Sequence, residues 1–351
     1  MAVATIKDVA ARAQVSVMTV SRVLNGERYV SEDKRERVRE AVAALDFRRN
    51  QSARGLPGSR TYVLALVASR VPGYVAALEW GAIHQCRRDD YHLAVVATDP
   101  AIDDAGQAIQ ALIANRRADG LILLPPLAND PAVLAALEAA GRAYVRVAPD
   151  GQLDRAPSVR IDEAAAAVEL TAHLLDMGHR RIGFIRGPAD HGGSARRYRG
   201  YVQALSNLGL AVDQALVRPG DFSFSSGMSA GEDLLAMDHP PSAIFASNDA
   251  MALGVVSAAS RAGLSVPGQI AIAGFDDTEG ARQTWPMLTT IRQPMEAMGE
   301  AAAELLIARA GRAGAGPPFE ARLLDYELIV RGSTRGETAP GAPVDPRTIN
   351  S

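Results

Sequence analysis

The chain has 351 residues, of which 48% are hydrophobic, enough for two or three domains with sizeable cores. The net charge of -3 hides an asymmetry, because residues 1–60 carry 12 Lys/Arg against 7 Asp/Glu and the rest carries 25 against 33. A basic head on an acidic body predicts a polyanionic partner at one end only. Cys86 is the only cysteine, which excludes an intrachain disulfide and a thiol-based metal site.

The apolar segments favour a protein that works in the cytoplasm. No apolar run approaches the roughly 18 residues that a membrane-spanning helix needs. The N-terminal segment also lacks the continuous apolar stretch of a secretory signal. We therefore expect a cytoplasmic protein without metal, cofactor or membrane partner, associated with the nucleoid when bound to DNA.

Two short amphipathic helices are predicted between residues 5 and 24. Thr5 stands three residues before Asp8, the spacing of a capping box, and Ser16 caps the second helix after a turn at Gln14-Val15. A third helix follows Ser31. Apolar residues recur at helical spacing on the inward faces: Ile6, Val9, Ala10 and Ala13, then Val20, Val23 and Leu24, then Val38, Ala41, Val42 and Leu45.

The polar face of the second helix is predicted to read DNA. Side chains near the N-terminus of such a helix reach base edges in the major groove, and here they are Val17, Met18 and Arg22. Arginine can bind guanine through two hydrogen bonds, whereas Val and Met offer apolar contact. A plain three-helix bundle with a solvated face is the alternative. Side chains suited to phosphate oxygens accompany them: Thr5, Ser16, Thr19, Ser21 and Asn25.

From Tyr62 onward, buried strands alternate with helices. Repeated β-α units predict parallel sheets covered on both faces. Two series, starting near Val63 and Arg181, predict two similar lobes. The predicted strands are 63–67, 93–97, 121–124, 144–147, 182–185, 243–246 and 270–273, and the predicted helices are 76–88, 104–115, 163–177, 194–208 and 249–262.

The ends of these strands point to a ligand site. In open parallel sheets, ligands bind beyond the carboxyl ends of the strands. Polar residues at these positions predict a cleft between the lobes that suits a small polar ligand. They are Ser69, Arg70, Thr98, Asp99 and Pro125 in the first lobe, and Arg186, Gly187, Asn248, Asp249, Phe275 and Asp276 in the second.

Several motifs resemble the lactose/galactose repressor family. TIKDVAARAQVSVMTVSRVLNG and VSEDKRERVREAVAALDFRRNQSARGLPG are similar to its headpiece. LDMGHRRIGFIRGP, SARRYRGY, IFASNDAMALGV, AGFDDTEGARQTWPMLTTIRQP and ELIVRGST are similar to its core.

The resemblance implies an α + α/β fold. It consists of a helix-turn-helix three-helix headpiece, a hinge helix and a two-lobed, periplasmic-binding-protein-like core of parallel sheets flanked by helices. The implied boundaries are headpiece 1–48, hinge segment 49–60, core 61–334 and flexible tail 335–351. Lobe 1 covers about 61–161 and 292–324, and lobe 2 about 162–291 and 325–334.

In this family the connector folds into a hinge helix on DNA. The resemblance implies that Leu56 wedges into the minor groove between two subunits, with Ala53 behind it and Asn50 also at the DNA. An inserted apolar wedge kinks the duplex. The chain departs from the family at two positions. Gln14 replaces the usual turn glycine, and Gly55 costs the hinge helix about 1 kcal/mol relative to alanine.

The resemblance also implies an effector site in the cleft. Charge-assisted hydrogen bonds hold sugar hydroxyls in fixed geometry, and aromatic and apolar side chains cover the ring. The implied residues are Arg197, Asn248 and Asp276 for the hydroxyls, Phe222 for the ring, and Met295 and Tyr74 for apolar walls, beside Ser69 from the strand-end rule.

One departure concerns the strand YVRV. Sugar binders of the family often end it with aspartate, where this chain has Ala148 and then Pro149. Arg146 lies one pleat back on the same face and is included among the effector-binding candidates. The pattern is compatible with an acidic or phosphorylated sugar, with a pocket opened for an oligosaccharide, or with an arginine paired to a neighbouring aspartate.

Other polar residues near the cleft have ordinary structural interpretations. Asp249 is expected to be a helix N-cap. Arg196 and Arg199 are expected to be surface charges on either side of Arg197. His191 is expected to lie in a loop near the cleft without touching the ligand.

The sequence thus predicts a homodimeric, ligand-responsive repressor of carbohydrate-utilisation genes that a sugar releases from a pseudo-palindromic operator. A purine- or other small-molecule-responsive corepressor-type regulator is the alternative, because the sequence does not fix the sign of the response. A solute-binding protein has the same two-lobed body without the basic headpiece. An enzyme is disfavoured because phosphate-loop and Cys/His metal motifs are missing. The tail after Thr334 has no leucine for a heptad seam, which favours a dimer.

Overall fold

The computed structural model describes residues 5–24, 30–45, 60–69, 74–98, 118–309 and 319–335. The chain divides into two compact units, Met1–Thr61 and Tyr62–Ser351. Several predictions fall outside the described residues: those for Asn25, Asn50, Ala53, Gly55, Leu56, Arg70 and Asp99, the helix over 104–115 and the tail after Arg335.

The first unit contains the three predicted helices, α1 (Ile6–Ala13), α2 (Val17–Leu24) and α3 (Glu32–Ala44). Asp8 accepts hydrogen bonds from the Thr5 backbone N–H at 2.8 Å and from its hydroxyl at 2.7 Å. The hydroxyl of Ser16 accepts from the N–H of Thr19 at 3.1 Å. These contacts fix the start of each of the first two helices, as their spacing predicts. The buried core consists of Val9, Ala10, Ala13, Val20, Val38 and Ala41.

The turn between α1 and α2 is held from the third helix. Gln14 adopts φ 51°, in the left-handed region, where a side chain is strained relative to glycine. The guanidinium of Arg37 donates to the carbonyl oxygens of Ala13 at 2.6 Å and Gln14 at 3.1 Å. Arg37 of α3 therefore holds the turn in place.

The second unit is built on two parallel sheets. In chain order the strands are β1 (Val63–Ser69), β2 (His92–Thr98), β3 (Gly120–Leu123), β4 (Ala143–Val147), β5 (Ser158–Arg160), β6 (Ile182–Ile185), β7 (Val217–Arg218), β8 (Ala243–Ala246), β9 (Ala271–Ala273), β10 (Thr290–Arg292), β11 (Ala321–Leu323) and β12 (Glu327–Ile329). The larger sheet has the strand order β11-β5-β4-β3-β1-β2 and the smaller one β7-β6-β8-β9, while β10 and β12 form an antiparallel pair. The continuous apolar runs of the inner strands suit burial on both faces.

In chain order the helices of this unit are α4 (Tyr74–Arg88), α5 (Pro131–Ala139), α6 (Glu163–Asp176), α7 (Gly192–Asn207), α8 (Phe224–Leu235), α9 (Asp249–Arg261), α10 (Glu279–Gln283), α11 (Met295–Arg309) and α12 (Gly332–Arg335). Six of them cover the sheets in packed pairs: α4 with α11, α6 with α7, and α8 with α9. In the first pair, a β-carbon on Gly81 would lie 1.9 Å from the carbonyl oxygen of Glu296, so glycine is required for this close approach.

The chain passes repeatedly between the two lobes. It leaves the larger sheet after β5 and enters α6, which packs against α7 of the second lobe. It returns between β10 and α11, and crosses again between β11 and α12, which contacts β9. Cys86 is buried within the first lobe. Among the described residues, no helix combines the length and apolarity needed to cross a bilayer.

Candidate functional site

A cavity lies beyond the carboxyl ends of strands from both sheets. Pro125 follows β3, Ala148 follows β4, Asn248 follows β8 and Asp276 follows β9. This is where the topology of open parallel sheets places a ligand. The lining residues are Tyr74, Val75, Leu124, Pro125, Ala148, Glu163, His191, Arg197, Phe222, Asn248 and Asp276.

Arg197, on α7, is the buried cation of the cavity, only 4% exposed. Its Nη1 donates to the carbonyl oxygen of Ser247 at 2.5 Å, and its Nη2 donates to Glu163 Oε1 at 2.8 Å. The Asp276 carboxylate lies 3.7 Å from the same Nη2. The guanidinium also stacks over the ring of Phe275, 3.9 Å from its centroid. These partners fix one guanidinium orientation and offset the cost of burying its charge.

Asn248 has a structural role in addition to lining the cavity. Its side-chain oxygen accepts from the N–H of Met251 at 3.0 Å and so caps α9, while Nδ2 donates to the carbonyl oxygen of Phe222 at 3.0 Å. The prediction that Asp249 is the N-cap is therefore wrong. Asp249 is the first helical residue, and its buried carboxylate accepts from Thr290 Oγ1 at 2.6 Å.

Asp276 is a buried carboxylate held by Gln293, whose Nε2 donates to it at 2.7 Å. Burial raises the pKa of Asp276 above that of an ordinary aspartate, and Arg197 acts in the opposite direction. Burial and the charge of Asp276 likewise raise the pKa of Asp249. Two electrostatically coupled, buried carboxyl groups thus lie at the cavity, with Asp276 in its lining.

Three residues that line the cavity have backbone φ angles in the left-handed region. The φ angles are 47° at Ala148, 68° at Phe222 and 121° at Asp276. Non-glycine residues rarely adopt such angles, and they do so mostly where the surrounding structure holds a functional geometry. Part of the backbone strain in the core unit thus lies at the cavity.

The apolar side of the cavity is aromatic. The rings of Phe222 and His191 pack edge to face with centroids 4.9 Å apart. A β-carbon on Gly187 would lie 2.3 Å from the Phe222 ring, so glycine is needed to admit it. Burial, followed by Glu163 and Asp276, raises the pKa of Tyr74, whose phenol therefore stays protonated at neutral pH.

Glu163 was missed by the sequence analysis. It is 2% exposed, and its Oε2 accepts from Arg196 Nε at 2.6 Å while its Oε1 accepts from Arg197. Burial alone would raise its pKa, but Arg197 and Arg196 hold the pKa of Glu163 below its usual value. In the sequence it is an ordinary acid in a first helical turn. The signal available in the sequence was the position of Glu163, directly after the segment that crosses from β5 to the second lobe.

Arg196 is a bridge between the lobes, and the prediction that it is a surface charge is wrong. Its Nη1 donates to Asp150 Oδ1 at 2.8 Å and to the Pro149 carbonyl oxygen at 3.2 Å, and Nη2 donates to the Ala148 carbonyl oxygen at 3.2 Å. A β-carbon on Gly192 would overlap the Asp150 carboxylate. The start of α7 therefore lies directly against the loop after β4.

Arg146 does not line the cavity, which corrects its prediction as an effector contact. It is 2% exposed, and its guanidinium donates to the carbonyl oxygens of Ala128, Gly151 and Gln152 and to Asn129 Oδ1. The expected alternation of faces fails because Ala148 leaves the strand with φ 47°. Arg146 instead organises two loops of the first lobe.

Of the other two predicted effector contacts, one is not among the lining residues and the other has its side chain outside the described residues. Met295 begins α11 and belongs to the buried core, at 7% exposure. Ser69 ends β1, and its side chain lies outside the described part of the chain. The cavity thus brings together Tyr74, Arg197, Phe222, Asn248 and Asp276 from the predicted set.

The first unit presents the predicted reading face on α2. Met18 is 64% and Val17 42% exposed, and Arg22 and Ser16 are also exposed. Thr5 is exposed at the start of α1, while Thr19 and Ser21 are half-buried. Large apolar side chains that face solvent at a helix N-terminus are suited to contact with a DNA groove.

Within the described ranges, no group of three or more His, Cys, Asp or Glu side chains is arranged to hold a metal ion. The chemistry on offer in the cavity is hydrogen bonding and aromatic packing. A helix-turn-helix unit followed by a two-lobed core with a polar and aromatic cavity at its strand ends defines a ligand-responsive DNA-binding regulator.

Comparison with known proteins agrees with this class. Residues 5–50 match "Bacterial regulatory proteins, lacI family", and residues 171–334 match "Periplasmic binding protein-like domain". The chain is 34% identical over 346 residues to the HTH-type transcriptional repressor CytR of Escherichia coli (strain K12), covering 95% of this chain and 96% of CytR. It is 35% identical over 312 residues to the repressor PurR of Klebsiella pneumoniae (strain 342), covering 87% and 90%.

Solved structures show the same architecture. The complex of the transcriptional regulator CelR with cellobiose has a TM-score of 0.71 at 31% identity, covering 94% of this chain and 99% of that one. The lac repressor dimer bound to operator and an anti-inducer has a TM-score of 0.78 at 26% identity, with the same coverage. The chain belongs to the lacI family and is a DNA-binding transcriptional regulator, so the predicted family and fold class are confirmed.

Proposed function

We propose that the chain is a homodimeric repressor whose affinity for operator DNA is controlled by a sugar bound in the cavity. The observation that carries the proposal is that Arg197, Asn248 and Asp276 line the cavity together with the ring of Phe222. Polar groups of fixed orientation beside an aromatic wall suit a polyhydroxylated ring. The likeness to the CelR–cellobiose complex supports a carbohydrate.

At the DNA, Val17, Met18 and Arg22 of α2 are proposed to contact base edges in the major groove. Their exposure supports this role. Two headpieces in a dimer would then bind the half-sites of a pseudo-palindrome in the cytoplasm. Backbone contacts are proposed for Thr5, Ser16, Thr19, Ser21 and Asn25, and contacts of the hinge segment for Asn50, Ala53 and Leu56.

The coupling between the two sites is proposed to run through the angle between the lobes. The cavity is lined by residues of both lobes, so a ligand that binds one lobe arrangement better shifts the population toward it. If that arrangement holds the headpieces at the wrong spacing, ligand and operator weaken each other's binding.

A ligand panel with one pair of variants tests this function. Purified protein is first screened by thermal stability against neutral sugars, including cellobiose, and against nucleobases; a ligand at 100 times its Kd adds roughly 2.7 kcal/mol of stability. The operator is selected in vitro, and its affinity is followed by fluorescence anisotropy.

We expect a neutral sugar to stabilise the protein and weaken operator binding. Arg197→Ala should bind operator normally and ignore the sugar. The matched control is Arg199→Ala, which removes an exposed arginine two residues along the same helix and should respond normally. A response confined to nucleobases, with tighter operator binding, would replace the sugar with the corepressor alternative.

A further inference from the structure

Resting on the proposed function, we propose that the effector is a neutral molecule, and that His191 is a specificity-determining residue that forms a hydrogen bond with one of its hydroxyl groups. The proposal excludes acidic and phosphorylated sugars as effectors. The sequence alone was compatible with them, because Arg146 was among the predicted effector contacts. The proposal follows from the charges around the cavity and from two buried nitrogen atoms.

The arginines at the cavity are already paired with carboxylates. Arg197 lies 2.8 Å from Glu163 and 3.7 Å from Asp276. Arg196 lies 2.5 Å from Glu163 and 2.8 Å from Asp150. Two cations thus face three carboxylates, and a bound phosphate would lie beside Glu163 and Asp276. Like charges at such distances in a buried site repel strongly.

Arg146 does not add a cation to this site. Its guanidinium makes four hydrogen bonds, to three backbone carbonyl oxygens and to Asn129 Oδ1, and none of these partners lines the cavity. His191 does not add one either, because burial and the neighbouring Arg197 lower its pKa to about 4, with Glu163 acting in the opposite direction. The imidazole is therefore neutral at pH 7.

Two buried nitrogen atoms of the cavity have hydrogen-bonding capacity to spare. His191 Nδ1 and Arg197 Nε are both buried and have no hydrogen-bond partner among the residues that the structure describes. Arginine Nε only donates, whereas Nδ1 of a neutral imidazole donates or accepts according to its tautomer. A hydroxyl group can accept a hydrogen bond from Arg197 Nε, and it can either donate to or accept from His191 Nδ1. A neutral ligand rich in hydroxyl groups matches this pair in either imidazole tautomer, whereas a carboxylate matches it only in the tautomer with the proton on Nδ1.

The position of His191 supports direct contact with a ring-shaped ligand. Its ring meets Phe222 edge to face, so one polar edge and one aromatic face border the same space. A β-carbon on Gly193 would lie 3.1 Å from His191 Nδ1 and 2.7 Å from Glu163 Oε1. The backbone at Gly193 therefore packs closely against the imidazole ring of His191.

The charge half of the proposal is tested with matched pairs of probes. Calorimetry compares glucose with glucose 6-phosphate, ribose with ribose 5-phosphate, and adenosine with adenosine monophosphate. In each pair that binds, the neutral member is expected to bind at least tenfold more tightly. Inorganic phosphate is expected to give no thermal stabilisation that depends on Arg197. Tighter binding of a phosphorylated member, or phosphate stabilisation lost in Arg197→Ala, would overturn this half.

The role of His191 is tested with two substitutions and a control. His191→Leu removes the hydrogen bond and should weaken the best neutral probe at least tenfold, while operator affinity without the probe is unchanged. His191→Asn keeps a polar group near the Nδ1 position and should recover most of the loss. His239→Asn, at an exposed histidine, should change nothing. An affinity within twofold of wild type for His191→Leu would refute the role.

These outcomes separate the inference from the proposed function. If only adenosine binds, the sugar proposal fails, but the comparison with its phosphate and with His191→Leu still decides the inference. If a sugar binds and His191→Leu binds it equally well, the proposed function stands and the inference fails.

Discussion

At the scale of single residues, the cavity depends on charged groups that are buried together. Glu163 is shared by Arg196 and Arg197, so one carboxylate orients both guanidinium groups. Breaking a buried pair costs about 3 to 5 kcal/mol, because the remaining charge stays buried without its partner. The site is thus preorganised by interactions that also stabilise the core unit.

The neutral state of His191 predicts a specific pH dependence. Its pKa is lowered to about 4 in the folded protein, against about 6.5 in an unfolded chain. Between these values the unfolded state binds a proton that the folded state does not, so stability falls as pH falls from about 6.5 to about 4. The slope from this group is on the order of 1 kcal/mol per pH unit.

His191→Asn removes this titration and should lose less stability across the same window in urea unfolding. The charges that act on the imidazole, from Arg196, Arg197, Glu163 and Asp190, are retained in the variant. The raised pKa of Asp276 contributes with opposite sign in both proteins. Parallel stability curves for the two proteins would contradict a neutral, buried His191.

The residues of the cavity could be predicted from the sequence where a general rule or a family motif fixes their position. The strand-end rule and the motifs pointed to Arg197, Asn248 and Asp276, which the structure brings to one cavity. Arg146 and Arg196 were not predictable, because their partners depend on how Ala148 leaves its strand and on how closely Gly192 approaches Asp150. Pattern and spacing carry no information about such contacts.

At the scale of elements, the two lobes are joined through a polar relay. Arg146 binds Asn129, whose Oδ1 also accepts from the backbone N–H of Asp150 at 2.8 Å. The side chain of Asp150 then pairs with Arg196 on α7. The loop after β4 is thus held by the first lobe and bound by the second.

This relay predicts coupling between Arg196 and Asp150 in effector binding. Arg196→Ala and Asp150→Ala should each weaken the best neutral sugar severalfold, since each loosens the bridge between the lobes. The double variant should be no weaker than Arg196→Ala alone, because the contact is already lost. Calorimetry on the three variants, with Arg199→Ala as control, measures the coupling. Additive losses would show that the bridge does not contribute.

The strands of four or more residues were predictable, and the shorter ones, apart from β9, were not. The strands β1, β2, β3, β4, β6, β8 and β9 coincide with predicted apolar runs. The strands β5, β7, β10, β11 and β12 have only two or three residues, too few to show a periodicity. Their pairing depends on long-range register, as between Ala321 and Ser158.

At the scale of the whole molecule, family membership joins a DNA-reading unit to a ligand-binding core. The comparisons establish the regulator class, and the cavity supports the proposed sugar effector. Linkage requires that the effector change operator affinity by the same factor by which operator changes effector affinity. A coupling of 1 to 3 kcal/mol corresponds to roughly 5- to 150-fold.

The measurement that tests this account most directly is that reciprocity. Operator affinity is measured by anisotropy with and without saturating amounts of the best neutral sugar, and sugar affinity by calorimetry with and without operator. The account predicts that each weakens the other by one common factor of at least fivefold, and that the factor falls to one in Arg197→Ala. Sugar that binds in the cavity while operator affinity stays unchanged would contradict it.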